Sequence, residues 1–139
     1  MLKRKVIIDT NVLYSGLYSS SGASYQILSM IEDGYLTPVL STALLFEYEE
    51  VLTRNKHKLG LSSQAIDDVL NGFCSRAEYH KIYFLWRPQL SDPKDDHILE
   101  LAVAASGMDI ITHNVRDFAR ANSFGIRIVT PKTLLGELK

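Results

Sequence analysis

Residues 5–13 read KVIIDTNVL, and this stretch decides the fold of the chain. After the lysine, residues 6–8 are all apolar and β-branched, without the alternation of polar residues that marks a strand with one wet face. Such uniform runs are typical of a strand that is buried on both faces of a sheet. The run ends at Asp9, and Asn11 follows two positions later. The stretch therefore predicts an interior strand with polar side chains at its carboxyl end.

Strand and helix patterns alternate along the rest of the chain. Short apolar runs predict further strands, at residues 36–40, 80–86, 109–112 and 126–129. Apolar residues at helical spacing predict helices between them, beginning at Ser21 or Ser24, at Ser41 or Thr42, near Ser62, at Asp92-Pro93, as a short turn at 115–121, and at Thr130-Pro131. Strands separated by helices predict one α/β domain over residues 1–139, with a mainly parallel sheet covered on both faces.

Composition narrows the class of protein. The chain has 139 residues, of which 46% are hydrophobic and 22% charged, as in an ordinary globular domain. A formal net charge of -1 gives no global positive field for nucleic acids, although a local basic patch can still act. Cys74 has no second cysteine with which to form an intrachain disulfide. No apolar run approaches the roughly 20 residues of a membrane span, so we expect a cytoplasmic protein without a membrane partner.

Acidic residues recur where the predicted elements begin or end. Asp9 ends the first strand, residues 46–50 read FEYEE, residues 92–96 read DPKDD, and residues 114–117 read NVRD. Ligands of parallel sheets bind beyond the carboxyl ends of the strands, where these segments are expected to meet. Crowded carboxylates repel one another unless a cation joins them, and hard oxygen ligands suit Mg²⁺ or Mn²⁺. The pattern predicts a divalent-metal site.

In two of these acidic segments, the sequence pattern does not decide which side chain would bind the metal. Glu47 shares a helical column with Leu44 and is either an inward ligand or part of a solvated face. Asp95 shares its column with Ile98 on the expected inward side, whereas Asp96 is turned by about 100°. Asp95 is therefore the preferred ligand and Asp96 the near alternative.

The remaining polar candidates have a structural interpretation as well as a functional one. Asn114 is placed to orient a water or a phosphate. Asp117 is either a neighbour of the metal or an ion-pair partner of Arg116 or Arg120. His97 and His113 are ligand types, but their spacing fits no zinc pattern.

The segments IIDTNVL, STALLFEYEEVL, DPKDDHILELAVAASGMDIITHNVRDF and IVTPKTLL together resemble the PIN-domain ribonucleases. Within that family the arrangement is similar to the toxin components of bacterial toxin–antitoxin pairs, relatives of the VapC-like toxins. The resemblance covers residues 5–135. It implies a three-layer α/β/α sandwich with a parallel sheet of about five strands, and metal-dependent hydrolysis of single-stranded or structured RNA that leaves a 5′-phosphate and a 3′-hydroxyl.

The resemblance also implies roles for particular residues. The acidic catalytic site would consist of Asp9, Glu47 and Asp95, with Asn114 or Asp117 in the fourth place and Asn11 in support. The candidate metal ligands are Asp9, Glu47, Asp95, Asp96 and Asp117. Many relatives carry an aspartate where this chain has Asn114, and the missing charge would weaken a second metal site.

The implied chemistry needs a cation, a base and a means of holding RNA. Mg²⁺ or Mn²⁺ would polarise the scissile phosphate, and either Glu47 or a metal-bound hydroxide would be the base for the attack on phosphorus. The candidate substrate contacts are Asn11, Thr112, Arg54, Lys56, Lys58, Arg116 and Arg120. The expected partners are an RNA substrate, a cognate antitoxin protein and a second copy of the chain.

Two alternative classes stay open from the residues. Asn114 favours a catalytically weakened PIN-like module that binds RNA or a protein, whereas Asp9, Glu47 and Asp95 favour an enzyme. A haloacid-dehalogenase-type phosphatase needs a second aspartate where Asn11 stands. A receiver domain needs paired acidic residues before its aspartate, and KRKVIID has none.

Overall fold

The computed structural model of the chain describes residues 4–82, 95–105 and 108–138. Within them, one parallel sheet of five strands is formed by β1 (Arg4–Ile8), β2 (Leu36–Leu40), β3 (Glu78–Tyr79), β4 (Asp109–Ile111) and β5 (Ile128–Val129). The helices are α1 (Thr10–Tyr18), α2 (Ala23–Glu32), α3 (Thr42–Arg54), α4 (Lys56–Leu59), α5 (Ser63–Arg76), α6 (Asp96–Ala104) and α7 (Pro131–Leu138), with a 3₁₀ helix (Val115–Phe124) before β5. The predicted α/β sandwich with a parallel sheet is confirmed.

The strand order β3-β2-β1-β4-β5 makes β1 the centre of the sheet. The chain first proceeds outward from β1 to β2 and β3, and then returns to β4 on the other side of β1. Right-handed crossovers in opposite directions place helices on opposite faces. The connection order therefore reverses between β1 and β4, and a crevice opens beyond their carboxyl ends.

The buried run predicted for β1 is the centre of the hydrophobic core. Val6, Ile7 and Ile8 are each 0% exposed. On one side of the sheet α1 packs against α2 and α3, and α2 packs against α5 and α7. On the other side α6 packs against β4 and the 3₁₀ helix. Among the described residues, no helix combines the length and apolarity that crossing a bilayer requires.

The predicted helix starts are partly confirmed. Ser41 caps α3 by accepting from the Leu44 N–H at 3.2 Å, and Thr130 caps α7 by accepting from the Thr133 N–H at 3.1 Å. The predicted capping of α2 by Ser21 or Ser24 is wrong. Gly22 is the N-cap and makes no side-chain cap, while Ser24 is buried inside the first turn.

Other predictions differ in their bounds or lie outside the described residues. The strand predicted at 80–86 is found earlier, at Glu78–Tyr79, and residues 80–82 are not part of a strand. The rest of that prediction and the helix start at Asp92-Pro93 fall in residues 83–94, outside the described part. Helix α1 was not predicted, because the β-branched residues before it indicate only the strand. Its signal was Asp9, a favourable N-cap residue, followed by apolar Val12 and Leu13.

An ion-pair network closes the amino edge of the sheet, opposite the crevice. Arg4 donates to Asp109 at 2.8 Å and to Glu137 at 2.9 Å, and Arg127 donates to the same two carboxylates at 2.7 and 2.6 Å. Hydrogen bonds from Arg127 and then Arg4 lower the pKa of Glu137 to about 2. Burial raises the pKa of Asp109, but the hydrogen bonds from the two guanidiniums outweigh it and bring the pKa below its ordinary value.

A methyl group added at Gly16 tests the contact between α1 and α2. A Cβ there would lie 2.4 Å from Leu28 Cδ1 and 3.1 Å from the Ser24 carbonyl oxygen. Overpacking typically costs about 1–3 kcal/mol, whereas replacing a helical glycine with alanine gains about 1 kcal/mol. Gly16→Ala should therefore lower the free energy of unfolding in urea. Gly136→Ala in α7, where a Cβ meets nothing within 4 Å, should leave it unchanged or raise it. Equal effects at the two glycines would contradict this packing.

The lowered pKa of Glu137 predicts an acid-dependent loss of stability. Its contribution is fully present above the ordinary value of 4.5 and disappears as the pH falls towards about 2. Between these pH values wild type should lose more stability to acid than Glu137→Gln, measured as urea midpoints at low ionic strength. Glu32→Gln, which removes an exposed carboxylate at the end of α2, is the control and should behave as wild type. Parallel pH curves for wild type and Glu137→Gln would refute the assignment.

Candidate active site

Asp9 lies at the point where β1 becomes α1. It is the N-cap of α1, and its Oδ1 accepts from the Thr10 N–H at 2.8 Å. Its Oδ2 accepts from the Thr112 hydroxyl at 2.7 Å, and its own N–H donates to the Ile111 carbonyl at 2.9 Å. Only 5% of Asp9 is exposed. The carboxylate is therefore fixed between the carboxyl ends of β1 and β4.

The Thr112 hydroxyl joins three parts of the site. It donates to Asp9 and accepts from the Asn114 N–H at 3.0 Å and the Asn11 Nδ2 at 3.4 Å. Asn11 Oδ1 in turn accepts from the His113 N–H at 3.3 Å. Thr112 itself is 0% exposed. The Thr112 side chain thus orients its neighbours, and its predicted contact with substrate stays a prediction.

The charge of Asp9 is costly where it lies. Burial is the main cause that raises its pKa, and the nearby Glu47 carboxylate raises it further. The hydrogen bonds from Thr112 and Thr10 act in the opposite direction but do not cancel these effects. The fold thus disfavours the ionised form of Asp9, and a nearby cation would offset that cost.

Glu47 reaches the same region from α3. Its Oε2 accepts from the Thr10 hydroxyl, and its Oε1 lies 3.1 Å from His97 Nε2 on α6. His97 is 8% exposed. The inward orientation that the helical column left open is the one that the structure adopts, because two side chains from other helices hold the carboxylate.

Tyr48 fixes the helix that carries Glu47. Its hydroxyl donates to the Ile8 carbonyl at 2.5 Å, and its ring packs edge-on against Phe73 at 5.4 Å between centroids. Tyr48 is 0% exposed, and burial followed by the charges of Asp9 and Glu47 raises the pKa of the phenol well above its ordinary value. The phenol therefore stays a hydrogen-bond donor that ties α3 to the end of β1.

These side chains border a cleft of about 390 Å³ beyond the carboxyl ends of β1 and β4. Its lining consists of Asp9, Thr10, Asn11, Tyr14, Glu47, Val51, Asn55, Asp95, Asn114 and Asp117. Four of these residues are acidic, and none of the described lining residues is lysine or arginine. The cleft lining is therefore acidic in composition.

The structure separates Asp95 from Asp96. Asp95 is half-buried at the N-cap of α6 and lines the cleft, whereas Asp96 is 1% exposed and does not. The helical-column argument placed Asp96 away from the inward side, and that expectation is wrong. Every residue from Asp96 to Ala102 is buried, so the first two turns of α6 have no outward face.

The fourth place in the cleft is shared by two residues of the 3₁₀ segment. Asn114 is its N-cap, and Asp117, three residues on, is half-buried; both line the cleft. The Asp117 N–H donates to the Asn114 carbonyl at 3.0 Å. A fourth carboxylate therefore borders the cleft although Asn114 is uncharged.

The predicted cationic contacts lie outside the cleft lining. Arg54 is exposed and donates to Glu50 at 2.6 Å, and Arg116 and Arg120 are exposed on the 3₁₀ helix. Lys56 and Lys58 lie on α4, which packs against α1 and α3 beside the cleft. The His113 side chain lies outside the cleft lining as well, and its Nε2 is 2.9 Å from the Ser24 hydroxyl.

The donor chemistry of the cleft fits a divalent cation. Carboxylate and amide oxygens are the ligands that Mg²⁺ and Mn²⁺ prefer, and the cleft offers both. Within the described ranges, no three His, Cys, Asp or Glu side chains already converge as a metal-binding group. Asp9 is held firmly, so binding would require the side chains across the cleft to turn towards it.

Several site residues were missed by the sequence analysis. Thr10, which directly follows Asp9, was not among the predicted site residues. His97 was discussed only as a metal ligand and not as a partner of Glu47. Val51 and Asn55 continue the column of Glu47 at intervals of four residues, which is the signal that could have found them. The contact of His97 with Glu47 joins residues fifty positions apart and has no local signal.

Comparisons with known proteins agree with this architecture. A family model described as a PIN domain matches residues 5–116, which is most of the chain. The fold is similar to that of a chain in the crystal structure of VapBC2 from Rickettsia felis bound to a DNA fragment from their promoter. The TM-score is 0.64 and the identity 17%, with 91% of this chain and 98% of that chain covered. No curated protein sequence matches the chain.

Replacing Thr112 tests the junction of β1 and β4. Thr112→Val keeps the shape but removes the donor to Asp9 and the acceptor for the Asn114 N–H, which should cost about 1–3 kcal/mol at neutral pH. Losing that donor should also raise the pKa of Asp9 further, so the cost should shrink as the pH falls towards 3.8 and Asp9 becomes protonated in both proteins. Urea unfolding at several pH values measures this, with Thr112→Ser as the control that keeps the hydroxyl. A pH-independent cost would contradict the link to Asp9.

Proposed function

The chain belongs to the PIN-domain family, and from that premise we propose that it is a metal-dependent endoribonuclease that hydrolyses phosphodiester bonds of RNA. One observation carries the proposal: Asp9, Glu47, Asp95 and Asp117 face one cleft at the reversal point of a parallel sheet. Buried and half-buried carboxylates that line one cleft are unfavourable for stability, so their grouping is better explained by function than by folding.

The proposed ligands differ in how firmly they are held. Asp9 is fixed by hydrogen bonds from Thr10 and Thr112, which makes it the anchor of the metal site. Asp95 lines the same cleft and would complete the pair. When bound, Mg²⁺ or Mn²⁺ would supply Lewis-acid stabilisation of the charge that develops on the scissile phosphate.

Glu47 is the proposed general base. Thr10 and His97 hold its two oxygens, so the carboxylate is oriented before substrate arrives. It would take a proton from the water that attacks phosphorus, and the bond from phosphorus to the 3′ oxygen would break. By the family resemblance, the products carry a 5′-phosphate and a 3′-hydroxyl.

Asn114, Asp117 and Asn11 would support this centre. Asn114 offers an amide to a water or a phosphate oxygen, and Asp117 supplies the charge that Asn114 lacks. Asn11 steadies the loop after β4 through the His113 N–H. The alternative of a catalytically weakened binding module rested on Asn114, and the carboxylate of Asp117 in the same cleft favours the enzyme.

Partners are proposed on the same resemblance. VapBC2 from Rickettsia felis forms a complex that binds a fragment of its promoter. We propose that this chain is likewise a toxin silenced by a cognate antitoxin, and that Lys56 and Lys58 beside the cleft help to hold RNA. Homodimer formation stays a prediction, which sedimentation of the purified protein would test. The cytoplasmic location also stays a prediction.

Cleavage of labelled RNAs with Mg²⁺, with Mn²⁺ and with EDTA tests the proposal. Wild type should cut only with a metal, and Asp9→Asn and Asp95→Asn should each lose at least about a hundredfold in rate, because a lost ligand costs no less than a lost supporting contact. Asp67→Asn removes an exposed carboxylate on α5 and is the matched control, which should cut as wild type.

A second readout keeps the result independent of substrate choice. Mn²⁺ binding, followed by electron paramagnetic resonance, should be lost in Asp9→Asn and retained in Asp67→Asn. Mn²⁺ binding without cleavage of any RNA would favour a binding module. Cleavage that survives both ligand substitutions would arise from a contaminant and would overturn the site.

A further inference from the structure

Two tyrosines extend along α1 from the cleft towards solvent. Tyr14 lines the cleft with Asp9, and Tyr18 follows one helical turn later. Their rings are stacked, with centroids 5.9 Å apart and an angle of 18° between the planes. Tyr18 is 63% exposed, so much of its side chain is accessible to solvent. The pair forms an aromatic surface that is continuous with the site.

The helix alone does not require this arrangement. Aromatic residues four positions apart contact one another on many helices and contribute little to stability. Two features distinguish the pair: the inner ring borders the carboxylate cleft, and the outer ring has a face open to solvent. A planar group placed on Tyr18 would continue the stack outward from the cleft.

Positive charge lies beside the same helix. Helix α4 packs against α1 and carries Lys56 and Lys58. In the part of the chain that the structure describes, neither lysine forms an ion pair, whereas Arg54 is bound to Glu50. Proteins that bind single-stranded nucleic acids combine a basic track for the phosphates with aromatic rings on which bases stack. The two lysines and the two tyrosines supply this combination.

We propose that Tyr14 and Tyr18 form a stacking platform for unpaired bases of the RNA next to the scissile phosphate, an inference that rests on the proposed ribonuclease activity. Bases within a duplex already stack on their neighbours and do not offer a free face. The platform therefore selects single-stranded segments over duplex RNA. Stacking recognises any base, so it sets the strandedness of the substrate and not its sequence.

Binding separates the bases from the backbone. The probes are fluorescent single-stranded oligoadenylate and an abasic ribose–phosphate oligomer of the same length, with the dissociation constant measured by anisotropy. The experiment uses Asp9→Asn protein in EDTA, so that no probe is cut. The Asp9→Asn protein should bind oligoadenylate more tightly than the abasic oligomer. Adding Tyr18→Leu should weaken only oligoadenylate, by about five- to a hundredfold, the range of one aromatic stack.

Matched variants distinguish stacking from folding. Tyr18→Phe keeps the ring and should bind as the parent. Tyr35 has the same 63% exposure and directly precedes β2 at the amino edge of the sheet, so Tyr35→Leu should also bind as the parent. In cleavage with Mg²⁺, Tyr18→Leu in the otherwise wild-type chain should raise KM for single-stranded RNA while kcat changes little.

The outcomes separate this inference from the proposed function. If wild type cleaves RNA but Tyr18→Leu changes neither binding nor KM, the platform is refuted and the activity stands. If oligoadenylate is preferred in a ring-dependent way but no RNA is cut, the platform is supported and the ribonuclease proposal fails. Equal binding of both oligomers by the parent overturns the platform and leaves the exposed tyrosines to a protein partner.

Discussion

A single hydroxyl links the sheet to the site. Thr112 donates to Asp9 and accepts from the Asn114 N–H, so the ends of β1 and β4 are tied together at the reversal point of the strand order. The Ile8 carbonyl, one residue before Asp9, accepts from Tyr48, which brings α3 and therefore Glu47 to the same place. These bonds are buried, where a lost partner leaves an unsatisfied polar group. The position of each side chain in the cleft depends on them.

The folded protein keeps the Asp9 and Glu47 carboxylates close together although their charges repel each other. Burial and the Glu47 charge raise the pKa of Asp9, and the hydrogen bonds from Thr112 and Thr10 only reduce the effect. The opposite edge of the sheet is arranged differently, since Asp109 and Glu137 are each bonded to both Arg4 and Arg127. Ion pairs thus neutralise Asp109 and Glu137 at the amino edge of the sheet. The carboxyl edge, where a cation is proposed to bind, stays acidic.

Local signals predicted the elements well where one physical effect dominated. Uniform β-branched runs gave β1, and side-chain caps gave the starts of α3 and α7. They failed where tertiary packing overrode the local pattern. Helix α2 follows Gly22 with no side-chain cap, and the first two turns of α6 are buried all round, so the helical period wrongly predicted that Asp96 is turned away from the interior.

By itself, the sequence determined the fold class, the strand that forms the centre of the sheet and the acidic residue types of the site, because buried runs and helical spacing are properties of neighbouring residues. Only the tertiary structure decided which side chains meet. Thr112 and Asp9 are 103 positions apart, as His97 and Glu47 are 50 apart, and each contact arises from the crossover that returns the chain to β1. Such contacts between distant residues are fixed by strand order and helix packing, and no local pattern encodes them.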